Sequence, residues 1–558
     1  MTISYQSATS TANFVNSIGV NTHIDFSNSP YTNLSQVENA ILYLGIKNLR
    51  DSPENTSDVG SGGTWQKVAA ATGAKFDAYI PEGSVSQMQT SLTYMSSLAK
   101  QGILNFIEGG NEEDDSYAAS LGNSLSATAS FQKQVYATGH AAGVPVINMS
   151  FGAGWGSSST GDYGKVGNLA AYADYANAHT YPGSGNTPGS TIATLASDAQ
   201  LAANGKPVIT TEIGYYTTGS TTDSTAVSQT EQAKYLLDAL LDGYQQGDPK
   251  TYLYELFNDQ SNSSTPEYNF GLFNANGTAK PAATAIHNLT TLLADSGSSS
   301  FTPGTLGYSL TGLQSNDHSL LLEKSNGTYW LALWDEARLS GPSSPGQISV
   351  ANHNVTLTLA SAAGTVEVFD PLTGTTAVQT ASNTSSVTVS LPDHPVLVEI
   401  IPGSSSSSGG STGSSGGSGG STGGSTGSSG GSSGGTSGSG GTLSPQDLAI
   451  TLPSAPSLSH GAVTALPGVT IDDAWAANHS GTMALNLTSG SGTLEISNGS
   501  TTLSGHSLHL TGSLSQLDAD LATLHYQATS LVGVDTVSVN VWNQAGVSAT
   551  HSLTIHVV

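Results

Sequence analysis

The sequence contains no cysteine. That excludes a disulfide framework, a thiolate zinc site and a cysteine nucleophile, so stability must come from packed cores and any catalysis from other groups. Positive charge is also scarce: 13 Lys and Arg stand against 40 Asp and Glu, for a formal charge of -27. All the basic residues lie at or before Arg338, and Arg50 and Arg338 are the only arginines. Phosphate backbones and anionic membranes both demand basic patches, so neither nucleic acid nor a membrane surface is an expected partner. No stretch of 18 apolar residues exists to span a bilayer. The start, Met1-Thr2-Ile3-Ser4-Tyr5, carries neither a basic segment nor an apolar one, so no signal peptide is visible. Low charge with abundant Ser, Thr, Asn and Gly is nonetheless common in bacterial extracellular proteins, and an extracellular, secreted location is expected.

What is present divides a chain of 558 residues into several parts. Residues 403–442 consist only of Gly, Ser and Thr. Such a segment has no apolar surface to bury and predicts a flexible tether, with an end-to-end distance of about 35 Å. Before it, residues 1–300 alternate β-rich runs with helical patterns. The strands are predicted at 17–22, 46–50, 74–80, 103–108, 144–151, 176–181, 207–212 and 251–257. Helical spacing covers 34–44, 84–100, 127–142, 192–204, 229–246 and 281–293. Eight such units in about 280 residues predict an α/β fold of the (β/α)8 TIM-barrel type. The competing doubly wound sheet lacks support, because no G-x-G-x-x-G turn follows the first strand. Residues 301–402 change to short alternating runs separated by Gly, Asn, Pro and Asp, which predict an all-β sandwich. Residues 443–558 again read as strands, a second all-β module.

In a barrel, function gathers where the C-terminal strand ends meet the βα loops. Those ends carry His23 and Asp25 after the first strand, Arg50 on the second, and Asn111-Glu112 after the fourth. His179 and Tyr181 follow the sixth strand, Glu212 and Tyr215 the seventh, and Glu255 the eighth. Carboxylates at ends four and seven face each other across the mouth. Two facing carboxylates suit glycosidic cleavage, in which one group protonates the leaving oxygen and the other attacks the anomeric carbon. Glu212 follows the apolar run Pro207-Val208-Ile209, where an unpaired carboxylate is costly. Glu108 lies inside the fourth strand and reads as a buried hydrogen-bonded group rather than the acid.

This set of residues resembles glycoside hydrolase clan A, and within it the family 39 type, over about residues 14–402. Asn111-Glu112, Glu212 one hundred residues on, Arg50, and His179 with Tyr181 carry the resemblance, together with the trailing strand Asp393-His394-Pro395-Val396-Leu397-Val398-Glu399-Ile400. The resemblance implies a retaining, two-step hydrolysis with Glu112 as acid/base and Glu212 as nucleophile. It further implies that Asn111 holds the sugar 2-hydroxyl, that Tyr181 bonds the nucleophile and that Arg50 keeps Glu212 ionised. Clan members present a tryptophan after the eighth strand, whereas this chain offers Tyr254, Glu255 and Phe257. Trp155, Tyr215 and Tyr216 are therefore the candidate stacking platforms. His23 and Asp25 are candidate subsite residues.

Two rivals stand beside this reading: an adhesion or carbohydrate-binding protein with an inactive barrel, and an inverting or transglycosylating enzyme on the same fold. A metal site built from His23, Asp25, His179, Glu212 and Glu255 is disfavoured because no His-x-His pair ends the first strand. No metal or other cofactor is expected. The partner is a β-linked polysaccharide, an exopolysaccharide or cell-wall glycan. The C-terminal module resembles the immunoglobulin- or cadherin-like repeats of bacterial surface proteins, through residues 512–526 and 533–539. It implies either a spacer or an attachment to cell-surface or matrix glycan, helped by Trp475 and Trp542. Calcium at Asp472, Asp473 or Asp535 lacks a full ligand set.

Overall fold

The computed structural model describes residues 3–403, except 27, 56–58, 61, 82, 115–123, 153–159, 184, 218–225, 262, 296–300 and 341–347. It also describes residues 448–557, except 454–456, 460–461, 467, 474–482, 490–491, 499–500, 506, 529–532 and 543–547. The chain divides into two compact units, Met1–Ser407 and Ser408–Val558. The Gly/Ser/Thr tether expected at 403–442 lies almost wholly outside the described residues.

The first unit begins with two short strands, β1 (Ser4–Ser7) and β2 (Thr9–Ser10). The barrel follows as β3 (Ile18–Asn21), β4 (Asn48–Asp51), β5 (Lys75–Ile80), β6 (Leu104–Gly110), β7 (Val146–Ile147), β8 (Ala176–Thr180), β9 (Val208–Ile213) and β10 (Thr251–Leu253). They lie in one parallel sheet in the order β7-β6-β5-β4-β3-β10-β9-β8. A parallel bridge between Ile147 and Tyr175 closes the ring. The TIM barrel is therefore present. Its fifth strand shrinks to two residues and its eighth to three, where 144–151 and 251–257 were expected. Helices Thr64–Thr72 and Thr160–Val166 add to those read from the sequence.

Strand alternation decides which residues reach the barrel interior. On β4, Leu49 turns outward into the helical layer and Arg50 turns inward. On β6, Ile107 turns outward, while Phe106 joins Ile147, Ile209 and Tyr252 in a small apolar plug. Glu108 lies two residues beyond Phe106 on the same inward face. Gly19 is required beside this plug, because a Cβ there would stand 2.3 Å from the Tyr252 ring. On β9, Thr210 pairs with Ala178 and Glu212 with His179, so Thr211 is the extra residue of a bulge. Strict alternation from Ile209 would turn Glu212 outward; the bulge brings it to the interior.

The strands of the accessory domain are β11 (Thr305–Thr311), β12 (Asp317–Glu323), β13 (Tyr329–Asp335), β14 (His353–Phe369), β15 (Gln379–Leu391) and β16 (Val396–Pro402). They form one sheet with β1 and β2, in the order β1-β11-β14-β16-β13-β12-β2, with β15 beside β14. Residues 4–10, read from sequence as part of the barrel domain, thus belong to this sheet. Their strands are too short to show periodicity. β13 is buried on both faces: Leu331 and Leu333 enter the sandwich core, while Trp330, Ala332 and Trp334 pack on the barrel. Trp334 Nε1 also donates to Asp242 Oδ1 at 3.0 Å. The two domains therefore share a core.

The second unit has a five-stranded sheet (Ser457–Leu458, Met483–Ser489, Ser507–Gly512, Gly533–Trp542, Ser548–Val557) and a four-stranded one (Val463–Ala465, Thr493–Asn498, Thr501–Gly505, His525–Gln527). A helix, Leu514–Leu521, is capped by the Ser513 side chain. Leu485, Leu494, Ile496, Tyr526, Val539 and Ile555 fill its core. Trp475 and the side chain of Trp542 lie outside the described residues.

Trp334→Ala empties a fully buried site between barrel and sandwich and is expected to cost about 3 to 5 kcal/mol. Urea denaturation of the chain checks this; a loss under about 1 kcal/mol would mean that the two domains do not share a core.

Candidate active site

Arg50 sits at the centre of the barrel mouth, 1% exposed. Its Nε and Nη2 each donate to Glu108 at 2.8 Å, a two-point contact that fixes the guanidinium plane. Nη1 donates to Glu212 Oε1 at 2.6 Å and to Asn21 Oδ1 at 2.9 Å, and Nη2 to Asn111 Oδ1 at 2.7 Å. The Tyr79 ring lies under it, 4.2 Å from the guanidinium carbon. Glu108 also accepts from Asn177 at 2.8 Å, so it serves as a structural counter-ion, as its place inside the strand implied. Asp77 faces the same group, and burial and the Glu108 charge hold its carboxyl well above the usual range, hence neutral.

Glu212 accepts two hydrogen bonds and has His179 close by. Arg50 holds one oxygen, and the Tyr181 hydroxyl donates to the other. His179 Nδ1 lies 3.5 Å from that second oxygen. Burial alone would raise the Glu212 pKa, but His179, Arg50 and Tyr181 outweigh it and hold the carboxyl below the ordinary value. Burial and the neighbouring carboxylates keep the Tyr181 hydroxyl protonated, so it can only donate to Glu212.

Glu112 sits across from it with a side chain 24% exposed. Its backbone has φ 41°, in the left-handed region that disfavours side chains. Its N–H donates to Ser150 Oγ at 3.1 Å, and His179 Nδ1 lies 2.7 Å from its Oε1. Arg50 Nη2 lies 3.3 Å from His179 Nε2. Burial would lower the His179 pKa, but Glu212 and Glu112 outweigh it and raise it, so Nδ1 carries a hydrogen toward Glu112. One oxygen of Glu112, one of Glu212 and a His179 nitrogen all lie within 4.8 Å of one another. Such a trio could hold a cation, but Arg50 places a fixed positive charge against two of its members. Among the described residues, two further trios, Asp242/His318/Glu336 and Asp317/Asp335/His353, lie outside the barrel mouth.

The expected residues fare differently. Arg50, Asn111, Glu112, His179, Tyr181 and Glu212 come together. His23 and Glu255 form a supporting layer instead of a substrate contact. Glu255 is fully buried and accepts from Tyr31 at 3.2 Å; burial, then Asp259 and Glu267, push its carboxyl well above the usual range. His23 lies 3.4 Å from Glu255 and is pushed down to about 4, chiefly by burial, so it is neutral. Asp25 is half-buried and its charge acts on Asp51. Tyr215 is a correction: its ring stacks on Tyr235 at 4.9 Å and its hydroxyl donates to the Asn186 carbonyl, so no face is left for a sugar. Tyr216 is buried against Phe270 in the same way. Trp155 lies outside the described residues.

Sequence reading missed Glu267, Phe26 and Asn21. Glu267 donates no motif, since it belongs to a short 3-10 turn, Pro266–Asn269, well past the eighth strand. It accepts from Tyr254 at 3.0 Å. Phe26 stacks on His23 at 4.4 Å and remains 39% exposed.

No protein-family model matches this sequence, and no curated protein matches it. Solved structures similar to it include a family 39 glycoside hydrolase from the gut symbiont Bacteroides cellulosilyticus WH2, at TM-score 0.49 and 16% identity, covering 70% of this chain and 82% of that one. A glucosidase from Croceicoccus marinus is similar at TM-score 0.47 and 12% identity, covering 72% and 97%. A monomeric β-xylosidase from Caulobacter crescentus CB15 is similar at 0.46 and 12%, covering 71% and 97%.

Removing the central cation leaves Glu108 with only the Asn177 amide and Glu212 with only His179 and Tyr181 to offset burial. Arg50→Met is expected to lose about 3 to 5 kcal/mol at neutral pH. The sign with pH also reverses. In the native chain Glu212 is depressed, so its ionisation stabilises the fold above the unfolded value of about 4.3 and that contribution fades as pH falls. In the variant its carboxyl rises above the unfolded value, so relative stability recovers in acid. Denaturation at pH 4 and 7 checks this; a deficit independent of pH would contradict it.

Proposed function

We propose that this chain is a retaining glycoside hydrolase that cleaves a β-linked polysaccharide. The carrying observation is the carboxylate pair: one oxygen of Glu112 and one of Glu212 lie within 4.8 Å, which supports the close spacing of about 5 to 5.5 Å between carboxyl groups that a retaining route uses. The unequal surroundings of the pair support a division of roles. Glu212 is buried, ionised and held by Arg50 and Tyr181, which suits a nucleophile. Glu112 is more exposed and contacts no guanidinium, which suits the group that exchanges protons with leaving group and water.

In the first step Glu112 gives its proton to the glycosidic oxygen while a Glu212 oxygen bonds to the anomeric carbon, and the leaving sugar departs as an alcohol. In the second, Glu112 takes a proton from water as that water's oxygen attacks the same carbon, and the Glu212 carboxylate is released. His179 carries its Nδ1 hydrogen to Glu112 and orients it in both steps. Asn111 has its oxygen committed to Arg50, which leaves its NH2 to donate to a sugar hydroxyl. Arg50 and Tyr181 keep charge on Glu212 until it attacks.

An exopolysaccharide or cell-wall glycan, met outside the cell, is the proposed substrate, and the second unit is proposed to attach the enzyme to a glycan-bearing surface or matrix. Attachment raises the local substrate concentration.

Glu112→Gln and Glu212→Gln are each expected to lower kcat by roughly 10^3-fold or more with the fold kept; undiminished hydrolysis in either would support the adhesion rival. The first-formed anomer, read by NMR, should retain configuration, and inversion would overturn the two-step route. The acid limb of kcat/KM should lie below about pH 4.3, since Glu212 must be ionised. Tyr181→Phe should move it upward by removing one of the contacts that lower Glu212.

Residues 1–403 should match the full chain on soluble glycan and fall behind it on insoluble glycan. Equal rates on both forms would make the second unit a spacer.

A further inference from the structure

One side of the barrel mouth carries a group of residues that the two-carboxylate chemistry does not use. Tyr181, which donates to Glu212, meets the Tyr254 ring edge-on at 6.0 Å. The Tyr254 hydroxyl donates to Glu267 Oε1 at 3.0 Å and lies 3.3 Å from His23 Nε2. His23 in turn stacks on Phe26 with the rings 12° apart. His23 covers one face of Phe26, and the ring stays 39% exposed. A partly exposed aromatic residue and the Glu267 carboxylate are thus linked through Tyr254 to the nucleophile. Two deeply buried polar atoms in this group, Glu255 Oε1 and His23 Nδ1, lack partners.

Charge decides what such a surface accepts. Glu267 feels the charges of both Glu212 and Glu112, and burial together with those carboxylates raises it to about 7. Of the barrel's basic residues only Arg50 stands at a C-terminal strand end, and its charge is shared between Glu108 and Glu212. Lys280 is buried, donating to Thr217 and to the Asn269 carbonyl. His23 is neutral. An anionic sugar would bring a further negative charge to Glu212 and Glu267, with Arg50 already shared by Glu108 and Glu212 and His179 already placed against Glu112 and Glu212. A neutral sugar can hydrogen-bond Glu267 but leaves the repulsion in place. An ammonium group offsets it, and the open face of Phe26 favours both a cation and the C–H face of a sugar ring.

We propose that Phe26, Tyr254 and Glu267 form a sugar subsite beside Glu212 that selects a hexosamine with a free amino group over neutral and anionic sugars. This inference rests on the glycosidase reading above and names its substrate class: a β-linked polysaccharide containing unacetylated amino sugar.

The test is binding of monosaccharides to the full chain by saturation-transfer NMR and calorimetry at pH 7, in pairs: glucosamine with glucose and galactosamine with galactose, with N-acetylglucosamine and glucuronate as further probes. In at least one pair the amine should bind about tenfold tighter, the size of one hydrogen bond between charged groups, and glucuronate should bind weakest. Glu267→Gln should equalise the pair, Glu267→Asp should keep part of the preference, and Phe26→Ala should weaken both members. Equal binding within both pairs, or a preference that survives Glu267→Gln, overturns the subsite. If the pairs bind equally while Glu112→Gln still abolishes hydrolysis of a neutral glycan, only this inference falls. If no sugar binds and Glu112→Gln changes nothing, both readings fall.

Discussion

One guanidinium organises the barrel mouth. Arg50 makes two bonds to Glu108, one to Glu212, one to Asn21 and one to Asn111, and it approaches His179. A buried cation with one carboxylate partner would satisfy its own charge and leave Glu212 to be protonated by burial. A buried cation with two carboxylates leaves a net negative site in which each partner's position is fixed by a rigid planar fork. Glu108 spends one of these carboxylates on structure so that Glu212 can keep its charge for chemistry. The deeper Asp77 also feels Arg50, but burial and the Glu108 charge outweigh it and hold its carboxyl well above the usual range.

The backbone around Arg50 carries two irregularities, and both serve carboxylates. The bulge at Thr211 turns Glu212 inward against strand alternation, and the left-handed turn at Glu112 lifts that residue off the end of β6. Regular geometry at either place would aim the side chain elsewhere. Irregular backbone of this kind persists when the surroundings over-determine it. Here the surroundings are the His179 contact to both carboxylates and the Ser150 hydroxyl at the Glu112 amide. The shared core of barrel and sandwich, centred on Trp334, holds helix Gln229–Gln246 from outside.

Much of this was legible in the sequence because strand ends are easy to find. The apolar run before Glu212 and the β-rich runs that end at Arg50 and His179 mark where a chain leaves the barrel, and a charged residue there has few reasons to exist apart from function. The scarcity of arginine pointed to Arg50 for the same reason. Tyr215 and Tyr216 misled because they lie only a few residues past Glu212, where the chain already turns back over the helix Gln229–Gln246, and buried and exposed tyrosines look alike in a sequence. Glu255 misled because burial, with Asp259 and Glu267 nearby, raises the pKa of a carboxylate at a strand end even though Tyr31 donates to it. Glu267 and Phe26 lie on loops with no periodicity, and only tertiary contacts through Tyr254 and His23 bring them to the mouth. The Thr211 bulge left no mark at all: a single extra residue does not alter the hydrophobic pattern of β9.

The central claim is that Glu212 bonds covalently to sugar while Glu112 moves the protons. It is tested most directly by incubating the Glu112→Gln chain with a glycoside bearing an activated leaving group, which needs no acid in the first step, and digesting the product for mass spectrometry. The account predicts one added glycosyl residue, carried as an ester on the peptide that contains Glu212. An unmodified Glu212 peptide after leaving-group release, or a glycosyl ester on another carboxylate, would contradict it.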